Sequence, residues 1–186
     1  MNFDQAFEEL IGNEGVLSLD PNDKGNWTGG KVGVGTLKGS KYGISAASYP
    51  SLDIRNLTLE QVKAIYLTDY WSKHHIDSMP EGVRFDVFDG VVNSGPGSLR
   101  FGRDGAIRWI QRAIGVVDDG VVGPKTLAAL AAVNSDAVVL DFNAIRLNAM
   151  TYMGGWPTQG RGWARRICSN LKELSRAIKQ RAKQGD

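Results

Sequence analysis

Apolar residues recur at helical intervals along most of this chain, and the main interruption is a glycine-rich stretch near its start. Phe3, Phe7, Leu10 and Ile11 stand three to four positions apart and predict a first helix that buries one face and stops near Gly12. Over residues 25–39 the period shifts to an alternation around Val32 and Val34 with glycines between, which predicts a short hairpin or small sheet. Leu57-Thr58-Leu59-Glu60-Gln61-Val62 combines a capping box, Thr58 to Gln61, with a hydrophobic staple, Leu57 to Val62, so a helix begins there and runs toward Trp71 and His74. Val83, Val87, Phe88, Val91 and Val92 predict a largely buried helix that ends at Asn93-Ser94-Gly95-Pro96-Gly97. Ala106, Ile107, Ile110 and Ile114 repeat the pattern before Gly115, and Gly123-Pro124 opens a short helix with proline in its first position. A long helix follows Ser135, with Val139, Phe142, Ile145 and Ala149, and a basic helix completes the chain. The fold class expected is mainly α with one small β element. The turn at residues 95–105 is the best boundary and divides the chain into regions 1–97 and 98–186.

Composition narrows the function. The 186 residues suffice for one domain or a compact pair of subdomains. No apolar run approaches the roughly 20 residues that span a bilayer, so no stable membrane insertion is expected. The acidic start Met1-Asn2-Phe3-Asp4-Gln5-Ala6-Phe7-Glu8-Glu9 is unlike a secretory signal, so for a substrate outside the cytoplasm something else is expected to let the protein through. Cys168, the only cysteine, cannot form an internal disulfide, and its neighbours Ile167 and Trp163 predict a buried, inert thiol. His74 and His75 are adjacent and diverge on a helix, so they do not form a metal pair, and no metal or cofactor is expected. The formal net charge is only +2, but the tail concentrates Arg161, Arg165, Arg166, Lys172, Arg176, Lys179, Arg181 and Lys183 against Glu173 and Asp186. Such a tail attracts polyanions, or is simply a solvated face with snorkelling side chains. No helix-turn-helix or stacked-aromatic motif accompanies it, so nucleic acid is not the expected partner.

Candidate chemistry begins at Glu14, where the first helix gives way to Glu14-Gly15-Val16-Leu17-Ser18-Leu19-Asp20-Pro21-Asn22-Asp23. A carboxylic acid protonates a glycosidic oxygen at neutral pH when partly apolar surroundings retain its proton, while a second carboxylate or a held water attends to the sugar carbon. Glu14 fits the acid, Asp23 the second carboxylate, and Ser40 or Tyr42 a group that holds the water. The plainer alternative makes Glu14 a solvated helix end and both aspartates turn formers, and Asp20 beside Pro21 suits that reading best. Tyr42 is the preferred aromatic for a sugar face, Trp27 a second, and Trp71 belongs to the core. Asn93, at a helix end before Ser94-Gly95-Pro96, fits an ordinary cap or turn residue. Asp86 and Asp89 lie on an otherwise apolar helix, where burial demands partners.

These residues also carry a resemblance. Glu14-Gly15, Asp20-Pro21-Asn22-Asp23, Tyr42-Gly43-Ile44-Ser45, Asn56-Leu57-Thr58-Leu59-Glu60 leading to Asp69-Tyr70-Trp71, Phe88-Asp89 and Val92-Asn93-Ser94-Gly95-Pro96 resemble, in that order, the glycoside hydrolase 108 muramidases. Trp109-Ile110-Gln111-Arg112-Ala113-Ile114-Gly115 and Asp119-Gly120-Val121-Val122-Gly123-Pro124-Lys125-Thr126 look like that family's carboxy-terminal peptidoglycan-binding region. The resemblance implies a lysozyme-like helical fold with a small hairpin beside the cleft. It also implies cleavage of the β-1,4 bond between N-acetylmuramic acid and N-acetylglucosamine. Glu14 matches the acid of the family's Glu-Gly-Gly-Tyr motif, from which Val16 and Leu17 depart, and Ser40 stands where relatives often have threonine. The implied protein is a monomeric phage or prophage endolysin, held in the host cytoplasm until a holin opens the way to the wall in the periplasm. Asp20, Tyr42 and Asn93 are then substrate-binding candidates. A lytic transglycosylase or a wall-binding module without catalysis are the competing expectations.

Overall fold

The spacing of Phe3, Phe7 and Ile11 produces the predicted helix, α1, at Phe3–Ile11. Asn2 and Gln5 exchange hydrogen bonds from backbone amide to side chain at its start. The computed structural model describes residues 1–12 and 17–185, so Glu14 lies outside the described residues. A 3-10 turn at Lys24–Asn26 and two short strands, β1 (Ser40–Lys41) and β2 (Ile44–Ser45), come next. They lead to α2 (Leu59–Ile65), which continues as a π-helix over Tyr66–Trp71. Then follow α3 (Glu81–Ser94), α4 (Ala106–Ala113), α5 (Pro124–Ala131), α6 (Ser135–Thr151) and α7 (Trp156–Gln184). Among the described residues, seven α-helices and one antiparallel strand pair make this a mainly α protein, the class expected.

The strand pair sits later than the alternation of residues 25–39 predicts. That stretch makes an isolated bridge, Trp27 with Leu37, and turn and loop bonds that include Thr28 to Thr36 and Gly29 to Val34. Val32 and Val34 are both exposed. An alternation with no apolar face to bury does not fix a strand register, which is why the ladder forms elsewhere. The expected capping box at α2 is present: Thr58 accepts from the Gln61 amide and Gln61 from the Thr58 amide. Such a reciprocal cap contributes about 1 kcal/mol.

Two compact units divide the chain. The smaller, Phe7–Asp69, has a core of Phe7, Ile44, Ala46, Ile54, Leu57, Val62 and Tyr66, with the Phe7 and Tyr66 rings edge to face at 5.6 Å. The larger comprises Met1–Ala6 and Tyr70–Asp186. It contains both α3 and α4, one on either side of the turn at residues 95–105.

α3 is the centre of the larger unit. Val83, Asp86, Val87, Phe88, Asp89, Gly90 and Val91 are all buried, as expected for a helix that is covered on every side. Phe88 meets Trp71 at 5.3 Å and Phe3 at 6.1 Å between ring centroids, and Phe3 meets Trp71 at 5.5 Å, confirming Trp71 as a core residue. At Gly90 a Cβ would stand 2.9 Å from Phe142 of α6 and 3.0 Å from Ala106 of α4. Only glycine admits both helices that closely.

Such burial leaves two carboxylates to be satisfied. Asp89, 2% exposed, accepts from Arg146 Nη1 at 2.6 Å, Arg166 Nε at 2.5 Å and Asn170 Nδ2 at 3.1 Å. Arg146 is fully buried and also donates to Asn93 Oδ1 at 3.2 Å. One turn earlier, Asp86 accepts from Asn143 Nδ2 at 2.7 Å. Burial pushes the Asp86 carboxyl up to about 6, reinforced by the negative charge of Asp89.

The segment after α3 is held by a second polar cluster. Gln111 of α4 donates to Asp119 Oδ1, the Val121 carbonyl and Thr126 Oγ1, and accepts from the Gly120 amide. Gly120, at φ +82°, has no room for a Cβ beside Gly97 and Ser98. The Asp119-Gly120-Val121-Val122-Gly123-Pro124 motif thus works as a loop clamp that delivers Pro124 to the first turn of α5.

Removing the Asp89 carboxylate strands the buried guanidinium of Arg146. Asp89→Ala is therefore expected to cost about 3–5 kcal/mol in urea unfolding, and a loss below about 1 kcal/mol would contradict the role given to this pair. For Asp86 the sign is opposite. Its folded-state value, about 6, exceeds the 3.8 of an unperturbed carboxyl, so the folded chain binds the proton more tightly. The stability this contributes is present below pH 3.8 and lost as pH rises through 6. Asp86→Asn should be more stable than the parent at pH 7, by up to about 3 kcal/mol, with the advantage gone near pH 4. An equal advantage at both pH values would rule out titration as its cause.

Candidate active site

Within the smaller unit, the described candidate residues collect around β1. Ser40 exchanges two backbone hydrogen bonds with Ser18, at 2.9 and 3.0 Å, and pairs in register with Ser45 on its other side. Directly opposed residues share a face of the sheet, so Ser18, Ser40 and Ser45 form a row of hydroxyl side chains. The Ser45 hydroxyl lies 3.2 Å from that of Ser48. Gly39, immediately before the row, has φ +87°, and a Cβ there would stand 2.4 Å from the Ser18 carbonyl oxygen.

Asp20 and Asp23 precede this row and both shape turns. Asp20 Oδ1 accepts from the Asn22 amide at 2.9 Å and from its side chain at 3.2 Å. Asp23 caps the 3-10 turn, its Oδ1 accepting from the Gly25 amide at 2.8 Å. That turn meets β2: the Gly25 carbonyl accepts from the Ala47 amide, and a Cβ on Gly25 would contact Ser45 at 3.8 Å and Asp23 Oδ1 at 3.2 Å. The exposed Asp23 carboxylate is thereby brought toward the serine row. Asp20 instead anchors the turn's other end, where its carbonyl accepts from the buried Asn26.

Asn26 is a residue that the sequence reading missed. It is fully buried. Its Nδ2 donates to the Asp20 carbonyl at 3.0 Å and to Ser18 Oγ at 3.4 Å, while its own carbonyl accepts from the amides of Lys38 and Gly39. One residue thus joins residues 18–20, through its side chain, to 38–39, through its backbone carbonyl. Its neighbours, Gly25 and Trp27, make it look like any other turn asparagine, and no local signal separates the two roles. Two lysines complete the frame: Lys38 Nζ donates to the carbonyls of Pro50 and Leu52, and Lys41 Nζ to those of Arg55 and Leu57.

Tyr42 and Gly43 form the two-residue turn between β1 and β2, with φ values of +51° and +76°. Positive φ at both positions matches the right-handed twist of the strands, and asparagine followed by glycine is the usual choice. Gly43 is required doubly, since a Cβ there would stand 2.4 Å from the Tyr66 hydroxyl. Tyr66 donates that hydroxyl to the Tyr42 carbonyl at 3.1 Å, locking the turn. Tyr42 itself is a tyrosine in the left-handed region, a conformation that costs on the order of 1 kcal/mol. Its half-buried ring lies 5.4 Å from Lys41 Nζ. Trp27, the second aromatic candidate, donates its indole N–H to the Pro21 carbonyl at 2.8 Å.

Asn93 lies in the larger unit, where its side chain accepts from Arg146 and from the Ser94 hydroxyl. It belongs to the network around Asp89. Cys168 is exposed, which corrects the expectation of a buried thiol. Ile167 is buried beside it, but consecutive residues on a helix point about 100° apart, so a buried neighbour says nothing of its own direction.

Residues 7–95 match the family model for Glycosyl hydrolase 108. Among solved structures the chain is similar to one described as the structure of Brucella abortus SagA. The two share 29% sequence identity and a TM-score of 0.73, with 95% of this chain and 94% of that one covered. No curated protein matches the chain. The family match supports a glycosidase, and peptidoglycan is a substrate consistent with that family. The extent of the structural likeness agrees with the lysozyme-like, mainly α fold.

Strain at Tyr42 with no local need for a tyrosine suggests a use for its ring. Tyr42→Asn should raise the unfolding free energy by about 1 kcal/mol, since asparagine tolerates positive φ, while lowering cleavage of glycan strands. Increased stability together with undiminished cleavage would remove Tyr42 from the substrate-binding set.

Proposed function

We propose that this protein is an N-acetylmuramidase that hydrolyses the β-1,4 bond between N-acetylmuramic acid and N-acetylglucosamine in peptidoglycan. The observation that carries the reading is the match of residues 7–95 to a glycosyl hydrolase family, a span that includes Glu14, Asp20, Asp23, Ser40, Tyr42 and Asn93. Glu14 donates its proton to the leaving glycosidic oxygen. As the C–O bond breaks, positive charge builds on the sugar carbon, and Asp23 stabilises it or orients the attacking water. The approach of the Asp23 turn to β2 supports this division of roles. Ser40, in the middle of the hydroxyl row, holds the water, and the Tyr42 ring meets a sugar face. Asp20 fixes the turn that presents Asp23. Residues 98–186 serve as the wall-binding region.

In this reading the protein acts as a phage endolysin and functions as a monomer. It waits in the host cytoplasm and reaches the periplasmic wall when a holin permeabilises the membrane.

Glu14→Gln keeps the shape of the side chain and removes the transferable proton. Glycan cleavage should fall by about 10²–10⁴-fold with the unfolding transition unchanged. The check is mass spectrometry of fragments released from purified peptidoglycan, with borohydride reduction. Reducible N-acetylmuramic acid ends that disappear in the variant support the assignment. Anhydro ends would mean transglycosylation instead, and near-native cleavage by the variant would remove Glu14 from the mechanism.

A further inference from the structure

α7 presents its charge on one side. Arg161, Arg165, Lys172, Arg176, Lys179 and Lys183 are all exposed. At 100° per residue they fall within an arc of roughly 60° and run along about 33 Å of helix. The buried residues of α7, Gly160, Ile167 and Asn170, lie on the opposite side. The tail's other two cations are engaged with the protein itself: Arg166 binds buried Asp89, and Arg181 binds Asp136 of α6 at 2.7 Å. Within the stripe only Arg176 has an ion pair among the described residues, with Glu173 on the same helix. The net charge of +2 therefore conceals a rail of cations, five of which form no ion pair among the described residues.

We infer that this rail is a docking surface for the carboxylate-bearing stem peptides of the peptidoglycan strand, an inference that rests on the wall-hydrolase reading. Charge complementarity selects a polyanion. The residues flanking the stripe, Gly162, Cys168, Ser169, Ser175 and Gln180, narrow the choice. They offer no large apolar side chain to sink into a lipid interface and no aromatic ring to stack on a base. An extended polymer with carboxylates repeated along its length meets a linear rail at many points, and the arginines add two-pronged contacts to single carboxylates. Each contact is weak and screened by salt, so the rail concentrates the protein on its substrate without trapping it.

The test is co-sedimentation of the full-length protein with purified sacculi across a salt series. Arg165→Glu/Lys172→Glu reverses two charges in the middle of the rail, and Lys31→Glu/Lys73→Glu, at exposed positions outside residues 98–186, makes the same change in net charge. The rail variant should bind on the order of tenfold more weakly at low salt, with a shallower dependence on salt, and the control should match the parent. Thermal unfolding of each variant checks that the fold survives. Independently of any variant, the parent protein should lose a similar part of its binding to sacculi whose carboxyls have been converted to amides. Unchanged binding by the rail variant, or to amidated sacculi, overturns the proposal. Binding that tracks the rail only on phosphatidylglycerol vesicles overturns it in favour of a membrane surface. Cleavage of the glycan is read separately from released fragments, so loss of the muramidase reading and loss of the rail give different results.

Discussion

The carboxylate of Asp89 is the constraint around which the larger unit is arranged. A charge that deep in the protein is tolerable only when its lone pairs are filled and an opposite charge stands against it. Here the partners come from two later helices, Arg146 from α6 and Arg166 and Asn170 from α7. Apolar contacts between α3, α4 and α6 supply much of the driving force for packing, but they are not directional. The ion and amide network is directional, and it fixes the rotation of α6 and α7 about α3. Asn93, through Arg146, ties the end of α3 to the same network.

The smaller unit solves a different problem. It has little regular secondary structure, so polar side chains do what a larger sheet would otherwise do. Asn26 holds residues 18–20 from within, Lys38 and Lys41 gather the carbonyls of residues 50–57, and the Tyr66 hydroxyl closes the hairpin turn. Each of these joins segments distant in sequence by a few directed bonds. The result is a defined row of hydroxyls and a placed carboxylate on a frame that, among the described residues, has two short strands.

Much of the helical architecture was legible because its signals are local. The Thr58 capping box, Pro124 at a helix start and the stop after Asn93-Ser94 all depend on residues within a turn or two. The demand of Asp89 for partners was equally plain from its apolar helix, but their identity was not, since they lie 57 to 81 residues further on. The strand pair was placed too early because Val32 and Val34 alternate visibly, whereas the real turn hides its signal by using tyrosine where asparagine is usual. Cys168 misled in the same way, through neighbours whose directions on a helix differ from its own. Both the fold class and the family likeness survive these local misreadings, since neither depends on where a single strand or thiol falls.

Arg146, Arg166 and Asn170 all follow α3 in the chain, and this bears on the order in which the protein takes shape. While the polypeptide is being synthesised, α3 emerges with a carboxylate it cannot bury, because the groups that neutralise it have not yet been made. Its final packing has to wait for nearly the whole chain to leave the ribosome. A nascent chain that ends before α6 cannot complete this core. The protein is therefore kept from its folded form until its last helix is available.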